Sequence, residues 1–163
     1  MDRRWIGILI IMLIGMGCMY FIVDNSNTVG NAITVVNDVS IVLPTGFKIS
    51  DTHSNEALLS SESNNESIFI ECIVDKNPEK EFTKKITSFQ NKNNVELKNL
   101  SNKTIKHINF KDVDSEKSTS FILFENLGHP FIMKMENYES ADKQDNDMTF
   151  IIGNMKHDFK QNP

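Results

Sequence analysis

The sequence predicts an α+β domain, an antiparallel β-sheet packed with helices, preceded by one N-terminal transmembrane helix. Three observations predict this fold class. Residues 5–23 form a run of 19 residues without a charge. Much of the remaining chain alternates apolar and polar residues, which is typical of half-buried strands. One amphipathic helix interrupts these strands, and the loops between consecutive strands are too short for parallel crossovers.

The apolar run of residues 5–23 predicts a signal anchor that crosses the membrane once. A helix of this length spans about 30 Å, which is the thickness of the hydrocarbon in a bilayer. Arg3 and Arg4 precede the run, and basic flanks stay in the cytoplasm. We therefore expect residues 1–4 to be cytoplasmic, residues 5–23 to contact membrane lipid, and the rest of the chain to be extracytoplasmic.

Two other interpretations of this start remain open. A cleaved signal peptide needs a shorter apolar core with small residues close behind it. Gly30 and Ala32 have a suitable size, but they lie far from Val23. A lipoprotein would be modified at Cys18, but Gly15 stands where leucine is usual and the apolar run continues past the cysteine. The signal anchor is the preferred interpretation.

A flexible tether, residues 24–36, is predicted between the anchor and the extracytoplasmic domain, residues 37–160. The tether begins with polar, turn-forming residues and ends in the short β-prone run 33–36. The domain opens with an alternating strand, residues 39–43, followed by a Pro-Thr-Gly turn. Further strands are then predicted at residues 47–49, 57–60 and 68–74.

A helix is predicted to begin at Pro78. Asn77 can cap it, proline is tolerated at the first helical position, and the following glutamates suit the positive end of the helix dipole. Three apolar residues recur at helical spacing and predict a stripe that faces the core: Phe82, Ile86 and Phe89. Lys84 and Lys85 are expected late in the helix, where cations are favourable, and the asparagine-rich residues 91–94 are expected to end it.

After the helix the period of two returns, and four more strands are predicted. An antiparallel hairpin is expected around residues 126–130, and the acidic residues 139–147 are expected to interrupt the sheet. Residues 148–159 are ambiguous, but we prefer a helix that starts at Asp145 or Asp147, with Gly153 as the objection. The four strands lie at residues 95–97, 104–110, 121–124 and 131–135.

One stretch carries a family resemblance. Residues 39–47, Val-Ser-Ile-Val-Leu-Pro-Thr-Gly-Phe, resemble the opening strand and turn of PsbP-like domains and of small single-span membrane-anchored archaeal proteins of unknown function. The later succession is similar, with a helix near Pro78 and a last helix that ends around residues 152–155. The resemblance covers residues 36–158. It implies an antiparallel sheet sandwiched by helices and an accessory or adaptor role, and it transfers no functional residue.

Charge and cysteine content exclude several functions. Residues 24–163 carry 15 basic and 21 acidic residues, a net charge of −6. This balance argues against a nucleic-acid partner and against a polybasic membrane-surface patch. Cys18 lies in the predicted span and Cys72 in a predicted buried strand, so no disulfide is expected within the domain. Cys72 is interpreted as a buried apolar residue, with a reactive thiol as the alternative.

No catalytic, cofactor or metal motif is recognised. None of the four histidines has a partner at a metal-ligand spacing: His53, His107, His129 and His157. The acidic run at Asp142, Asp145 and Asp147 resembles a calcium loop, but it lacks the required glycine and glutamate. No catalytic residue, cofactor or metal ligand is therefore predicted, and the acidic run is interpreted as a solvated turn that caps a helix.

Three Asn-x-Ser/Thr sequences fall in predicted loops or turns, and each is a candidate N-glycosylation site if the chain passes through the required machinery. Their acceptor residues are Asn65, Asn99 and Asn102.

These observations together predict a single-pass cell-membrane protein with one extracytoplasmic domain. We expect a non-enzymatic binding or accessory module that presents a sheet edge or a loop to a protein partner, with no nucleic-acid partner. The alternative is a ligand-binding receptor or an enzyme whose site is assembled from scattered residues. A deep pocket with His107, His129 or Cys72 beside carboxylates would favour that alternative. A shallow surface with an exposed apolar patch would favour the binding module.

Overall fold

The computed structural model describes residues 33–157, and every structural statement below concerns these residues. The predicted anchor and residues 158–160 of the predicted domain lie outside them. Residues 33–157 form ten strands and two helices in the following order: β1 (Ile33–Val36), β2 (Val39–Val42), β3 (Phe47–His53), β4 (Glu56–Ser61), β5 (Ser67–Cys72), α1 (Pro78–Gln90), β6 (Val95–Asn99), β7 (Ile105–Asp112), β8 (Ser118–Asn126), β9 (His129–Tyr138), α2 (Ala141–Asn154) and β10 (Lys156–His157).

The main sheet has seven strands in the order β3-β4-β5-β9-β8-β7-β6. Every neighbouring pair is antiparallel. Two meanders, β3 to β5 and β6 to β9, are joined by α1, and the pairing of β5 with β9 closes the sheet between them. This confirms the predicted mixed α+β fold with antiparallel sheets and two helices.

A second, three-stranded sheet has the order β1-β2-β10. Its first strand, Ile33–Val36, takes up the last four residues of the predicted tether and pairs with β2. The tether prediction is corrected here, because the β-prone residues Val35 and Val36 find a partner strand across a two-residue turn. That turn consists of Asn37 and Asp38, which both adopt positive φ (49° and 60°), as hairpin turns of two residues require.

The main sheet is covered on both faces. Alternate residues of one strand point to opposite faces, and on β8 Ile122 and Phe124 face one core while Phe121 and Leu123 face the other. The first core lies beneath the small sheet and α2. The second core lies beneath α1. The domain therefore has three layers with the seven-stranded sheet in the middle.

Helix α1 is built as predicted at its start. The side chain of Asn77 accepts a hydrogen bond from the backbone N–H of Lys80 at 3.0 Å, and Pro78 is the first helical residue. Phe82 is buried in the second core, and Ile86 and Phe89 pack against that core, which confirms the apolar stripe. Lys84 and Lys85 were expected near the end of the helix. They lie in its middle, because it continues to Gln90.

Helix α2 resolves the ambiguous end of the domain in favour of a helix. Residues 148–154 are helical, although the helix starts earlier than predicted. Ser140, not an aspartate, caps it, because the Ser140 hydroxyl accepts a hydrogen bond from the N–H of Lys143 at 3.3 Å. Gly153 is tolerated near the C-terminus. The predicted continuation to residue 159 is wrong at Met155, whose backbone is extended and leads into β10.

The predicted hairpin is formed by β8 and β9, but its turn is shorter than the expected loop at residues 126–130. Only Leu127 and Gly128 separate the strands, and both adopt positive φ (54° and 77°). Pro130 is the last residue of the loop that the sequence predicts. It is accommodated as the second residue of β9, near the strand start where proline is tolerated.

Candidate functional site

A groove runs between α1 and the open half of the sheet face beneath it, and we call it the α1 groove. Its volume is about 570 Å³. The sheet supplies the floor, and α1 with the turn that follows it supplies one wall. The floor is formed by Leu58, Phe69, Phe121, Ile132, Lys134 and Glu136, and the wall by Glu81, Lys84, Lys85, Ser88, Phe89, Lys92 and Asn93.

The floor of the α1 groove is a set of apolar side chains on neighbouring strands. Phe121 is held by edge-on packing against Phe110, with ring centroids 6.0 Å apart. Phe89 of α1 packs on the same two rings at 5.2 and 5.4 Å. Leu58 of β4 and Phe69 of β5 lie farther along the same face of the sheet, and both are half-buried. Phe121 and Ile132 are buried, so the apolar surface that the groove offers to solvent comes from Leu58, Phe69 and Phe89.

Lys134 stands in the floor of the α1 groove in a strand of buried residues. Its ammonium lies 5.5 Å from the centroid of the Phe89 ring and 5.7 Å from that of Phe121. It also forms an ion pair with Glu136 at 2.5 Å. Because the aliphatic stem covers the rings and the charged end reaches solvent, this lysine joins the apolar and charged parts of the groove.

Lys85 is fixed in a comparable way. Its ammonium lies 5.6 Å from the centroid of the Phe69 ring and 2.8 Å from Oε2 of Glu71. That oxygen is buried and accepts no well-aligned hydrogen bond within residues 33–157, so the attraction to Lys85 is electrostatic. The pair neutralises Lys85 and holds the helix wall against β5.

Two lysines of the wall are left over. Lys84 and Lys92 are exposed and form no ion pair within the described part of the chain. Glu81, a carboxylate of the same groove, also forms no ion pair within residues 33–157. The lining as a whole carries four lysines and two glutamates, a net charge of +2. A positive groove is thus set into a domain whose total charge is negative.

A second groove lies on the opposite face of the sheet, beside edge strand β6, and we call it the β6 groove. Its volume is about 620 Å³. Its lining carries four acidic and two basic side chains, a net charge of −2: Glu96, Glu116, Glu139, Asp145, Lys98 and Lys111. The β6 groove therefore has the opposite charge from the α1 groove.

The wall of the β6 groove is a closed polar network. Asn109 donates hydrogen bonds to the Ser120 hydroxyl at 2.9 Å and to Oε1 of Gln144 at 3.1 Å. Ser118 donates to the same Gln144 oxygen at 3.2 Å, and Gln144 donates to the backbone oxygen of Met135 at 3.4 Å. Because the buried polar groups satisfy one another, this network stabilises the contact of α2 with the sheet.

His107 belongs to this network. Its Nε2 lies 2.8 Å from the Ser120 hydroxyl, which is the distance expected of a nucleophile and its base. Ser120 is fully buried in the sheet, however, and His107 is 5% exposed, so no substrate can reach the pair. Burial lowers the pKa of His107, and the nearby charge of Asp145 partly opposes this effect. The neutral imidazole is thus a buried hydrogen-bonding group of this network.

Cys72 and His129 are brought together through Asn37. The Asn37 amide lies 3.3 Å from Sγ of Cys72 and 3.4 Å from Nδ1 of His129. Cys72 is 3% exposed, and burial raises its pKa, with Glu71 adding to this effect and the hydrogen bond from Asn37 opposing it. A buried thiol that resists ionisation is a poor nucleophile. The arrangement therefore supports the buried interpretation of Cys72.

The remaining predicted positions lie apart from both of these clusters. His53 lies at the exposed sheet edge, 3.4 Å from Asp51, and His157 is exposed in β10. Asp147 is in α2 and accepts a hydrogen bond from the Tyr138 hydroxyl at 3.0 Å. Burial raises the pKa of Asp147. Within residues 33–157 no group of three His, Cys, Asp or Glu side chains has a geometry that could hold a metal ion.

The three glycosylation candidates are all exposed. Asn65 precedes β5, Asn99 ends β6, and Asn102 lies in the connection to β7. The side-chain Oδ1 of Asn102 accepts hydrogen bonds from the N–H and the hydroxyl of Thr104 at 2.9 and 3.1 Å.

The α1 groove was not predicted from the sequence. Its signal is Lys134, a charged residue between the buried Met133 and Met135 in a strand that otherwise reads as core. The lysines of α1 were assigned to the helix dipole, and nothing local shows that they face Phe69 across the sheet.

Comparison with known proteins gives no relative from which a function could be transferred. No protein-family model matches the chain, and no curated protein matches it significantly. None of the helices within residues 33–157 is long and apolar enough to cross a membrane, and the predicted span, residues 5–23, lies outside that part of the chain.

Proposed function

We propose that this protein is a non-enzymatic binding or accessory module whose α1 groove receives an acidic, partly apolar segment of a protein partner. In this proposal residues 5–23 hold the domain at the extracytoplasmic face of the cell membrane and raise its local concentration near the partner. One observation carries the proposal. Lys84 and Lys92, which form no ion pair among residues 33–157, stand beside apolar side chains of the groove in a chain of net negative charge.

The spacing of the unpaired lysines suits an extended segment. Lys84 lies in α1, and Lys92 lies two residues beyond Gln90, where the helix ends. With about 1.5 Å for each helical residue and a short turn after them, the two lysines stand on the order of 12 Å apart. An extended chain covers this distance in about four residues, since each residue rises about 3.3 Å. Two carboxylates four positions apart would reach both lysines. An apolar side chain between them would lie on Phe69 and Leu58.

A binding role is favoured over catalysis by the chemistry of the groove. Its lining supplies ammonium groups, carboxylates, one serine and one asparagine, and neither a histidine nor a cysteine. Of the two pairs that resemble catalytic groups, His107 with Ser120 is buried elsewhere, and Cys72 with the half-buried His129 lies outside the α1 groove. The PsbP-like resemblance of residues 39–47 implies an antiparallel sheet sandwiched by helices, and accessory roles prevail in that family.

The test is a titration of the full chain, in mild detergent, with a synthetic extended peptide that carries glutamates four positions apart and a phenylalanine between them. The wild-type protein should bind it. The double variant Lys84→Glu/Lys92→Glu should bind about tenfold more weakly, because two weak surface ion pairs become repulsions. The double variant Lys48→Glu/Lys103→Glu makes the same charge change outside the groove and should bind as the wild type does.

Two results would contradict the proposal. The first is equal affinity of the groove variant and its control for the acidic peptide. The second is equal binding of a peptide with lysines in place of the glutamates. If a small aromatic carboxylate alone binds as tightly as the peptide, the groove is a small-ligand site and the protein-partner proposal fails.

A further inference from the structure

The two edges of the main sheet differ. At one edge, β3 carries a bulge between Ile49 and Asp51, and the exposed polar side chains of Asp51 and His53 contact each other at 3.4 Å. Bulges and charged or polar edge residues hinder the addition of a further strand. At the other edge, β6 pairs with β7 in continuous register over five residues. Leu97, at the centre of β6, is 48% exposed. Edge β6 is therefore the one that can accept a strand.

Backbone hydrogen bonds alternate along β6, and this alternation shows which backbone groups do not face β7. Two bonds flank the strand: the N–H of Leu100 donates to the oxygen of His107 at 2.8 Å, and the N–H of Val113 donates to the oxygen of Asn94 at 3.4 Å. In an antiparallel pair alternate residues turn both backbone groups to the same neighbour. The even-numbered residues of β6 therefore bond to β7, and Val95, Leu97 and Asn99 direct their N–H and C=O groups outward.

We infer that β6 is a self-association edge that pairs antiparallel with β6 of a second copy, centred on Leu97. In this register Leu97 faces Leu97 of the second copy, and Val95 faces Asn99. Each of these pairs exchanges two hydrogen bonds, so the contact forms about six backbone bonds through the outward groups. The arrangement is a two-fold symmetric contact in which the same strand serves on both sides.

The charges of β6 select this register. Glu96 faces Lys98 of the second copy, and Lys98 faces Glu96, at the closely spaced positions between the bonded pairs. A shift by two residues in one direction places Glu96 opposite Glu96, and a shift in the other places Lys98 opposite Lys98. A shift by one residue would mismatch the outward backbone groups. Only the register centred on Leu97 satisfies both the hydrogen bonds and the charges.

The neighbouring strand supports the same charge order. In the register of β6 with β7, Glu96 lies opposite Lys111 and Lys98 lies opposite Asn109. In the dimer, four side chains would lie side by side on successive strands: Lys111 and Glu96 of one copy, then Lys98 and Asn109 of the second copy. Signs alternate along this row, and no like charges are placed side by side.

The test measures the association of the full chain in mild detergent by sedimentation velocity. Wild type should form a dimer. Glu96→Lys and Lys98→Glu should each self-associate about tenfold more weakly, because each converts both cross-strand pairs into repulsions. An equimolar mixture of the two variants should form a mixed dimer, and the double variant Glu96→Lys/Lys98→Glu should dimerise like the wild type.

A backbone variant tests the hydrogen bonds separately. In Leu97→Pro the lost N–H is one that points away from β7, so the domain should keep its fold, as circular dichroism can check, and lose the dimer. A monomeric wild type, equal dimerisation of all these variants, or single variants that remain monomeric when mixed would each overturn the inference. Dimerisation through the predicted anchor would leave all β6 variants unchanged and is thereby distinguished.

Discussion

The α1 groove and the β6 groove have similar volumes, about 570 and 620 Å³, and lie on opposite faces of the same sheet. They differ in how their polar groups are used. In the β6 groove Asn109, Ser118 and Gln144 bond to one another, so the wall is closed. In the α1 groove Lys84 and Lys92 have no ion-pair partner among the described residues.

This difference indicates that the polar groups of the β6 groove stabilise the fold, whereas those of the α1 groove are available to bind a partner. A closed hydrogen-bond network contributes to stability, and removing one member leaves other buried groups unsatisfied. Exposed cations without partners contribute little to stability, so their position beside an apolar floor has no structural explanation. We therefore expect variants of the β6 groove wall to change the free energy of unfolding, and variants of the α1 groove rim to change binding alone.

The largest effect is expected beneath the α1 groove. Phe110 is fully buried and supports both Phe89 and Phe121. Phe110→Ala should lower the free energy of unfolding by about 3–5 kcal/mol, because it leaves a cavity in the core. Denaturant unfolding measures this loss. A loss below about 1 kcal/mol would show that the floor is not a packed core.

The second-largest loss of stability is expected in the wall of the β6 groove. Gln144 is 2% exposed and joins α2 to Asn109, Ser118 and the backbone of β9. Gln144→Ala should cost about 2 kcal/mol, because its partners lose their hydrogen bonds.

The matched control for Gln144 is Asn146→Ala, on the exposed side of the same helix, which should stay within about 0.5 kcal/mol of the wild type. Lys84→Ala, at the rim of the α1 groove, should do the same. Equal losses for Gln144→Ala and Lys84→Ala would remove the contrast between the two grooves.

The pH dependence of stability should reveal His107. Burial lowers the pKa of His107, so the unfolded chain binds a proton more readily than the folded domain. This contribution is fully present above the unfolded pKa of about 6.5 and is lost as the pH falls through the lower folded value. Unfolding measured between neutral and mildly acidic pH should show this loss in the wild type but not in His107→Gln. The loss should persist in His53→Gln, and its persistence in His107→Gln would contradict the assignment.

The smallest effect is expected at Asp147. Burial raises the pKa of this carboxyl, while the hydrogen bond from Tyr138 and the charge of Lys143 oppose the rise. The folded domain therefore binds the proton more tightly than the unfolded chain, and stability decreases as the pH rises through the folded pKa. Asp147→Asn should remove this decrease and leave the domain as stable as the wild type at neutral pH, or more so. Lower stability of Asp147→Asn at neutral pH would mean that the charge itself is needed.

Much of the fold follows from local pattern. Periodicity located α1 and most of the strands, because each buries one stripe or one face. Element bounds depend on long-range pairing, and local pattern alone does not show that residues 33–36 pair with β2. The start of α2 was also placed too late, since several polar residues near it could serve as caps.

The candidate site could not be predicted in the same way. Lys84, Lys85 and Lys134 come from α1 and β9, and Phe69 comes from β5. Only the crossing of α1 over the sheet places them together. The sequence contains one indication, Lys134 within an apolar strand, but it does not show whether the partner is a carboxylate of the same chain or of another.

The most direct test of the central claim compares the two grooves in native membranes. A photo-crosslinking residue is placed at Ser88 in the α1 groove or at Ser115 in the β6 groove of the full chain, and the captured peptides are sequenced. Our account predicts that position 88 captures one segment with acidic residues about four positions apart and that position 115 does not. The same capture from both positions, or a basic segment at position 88, would contradict it.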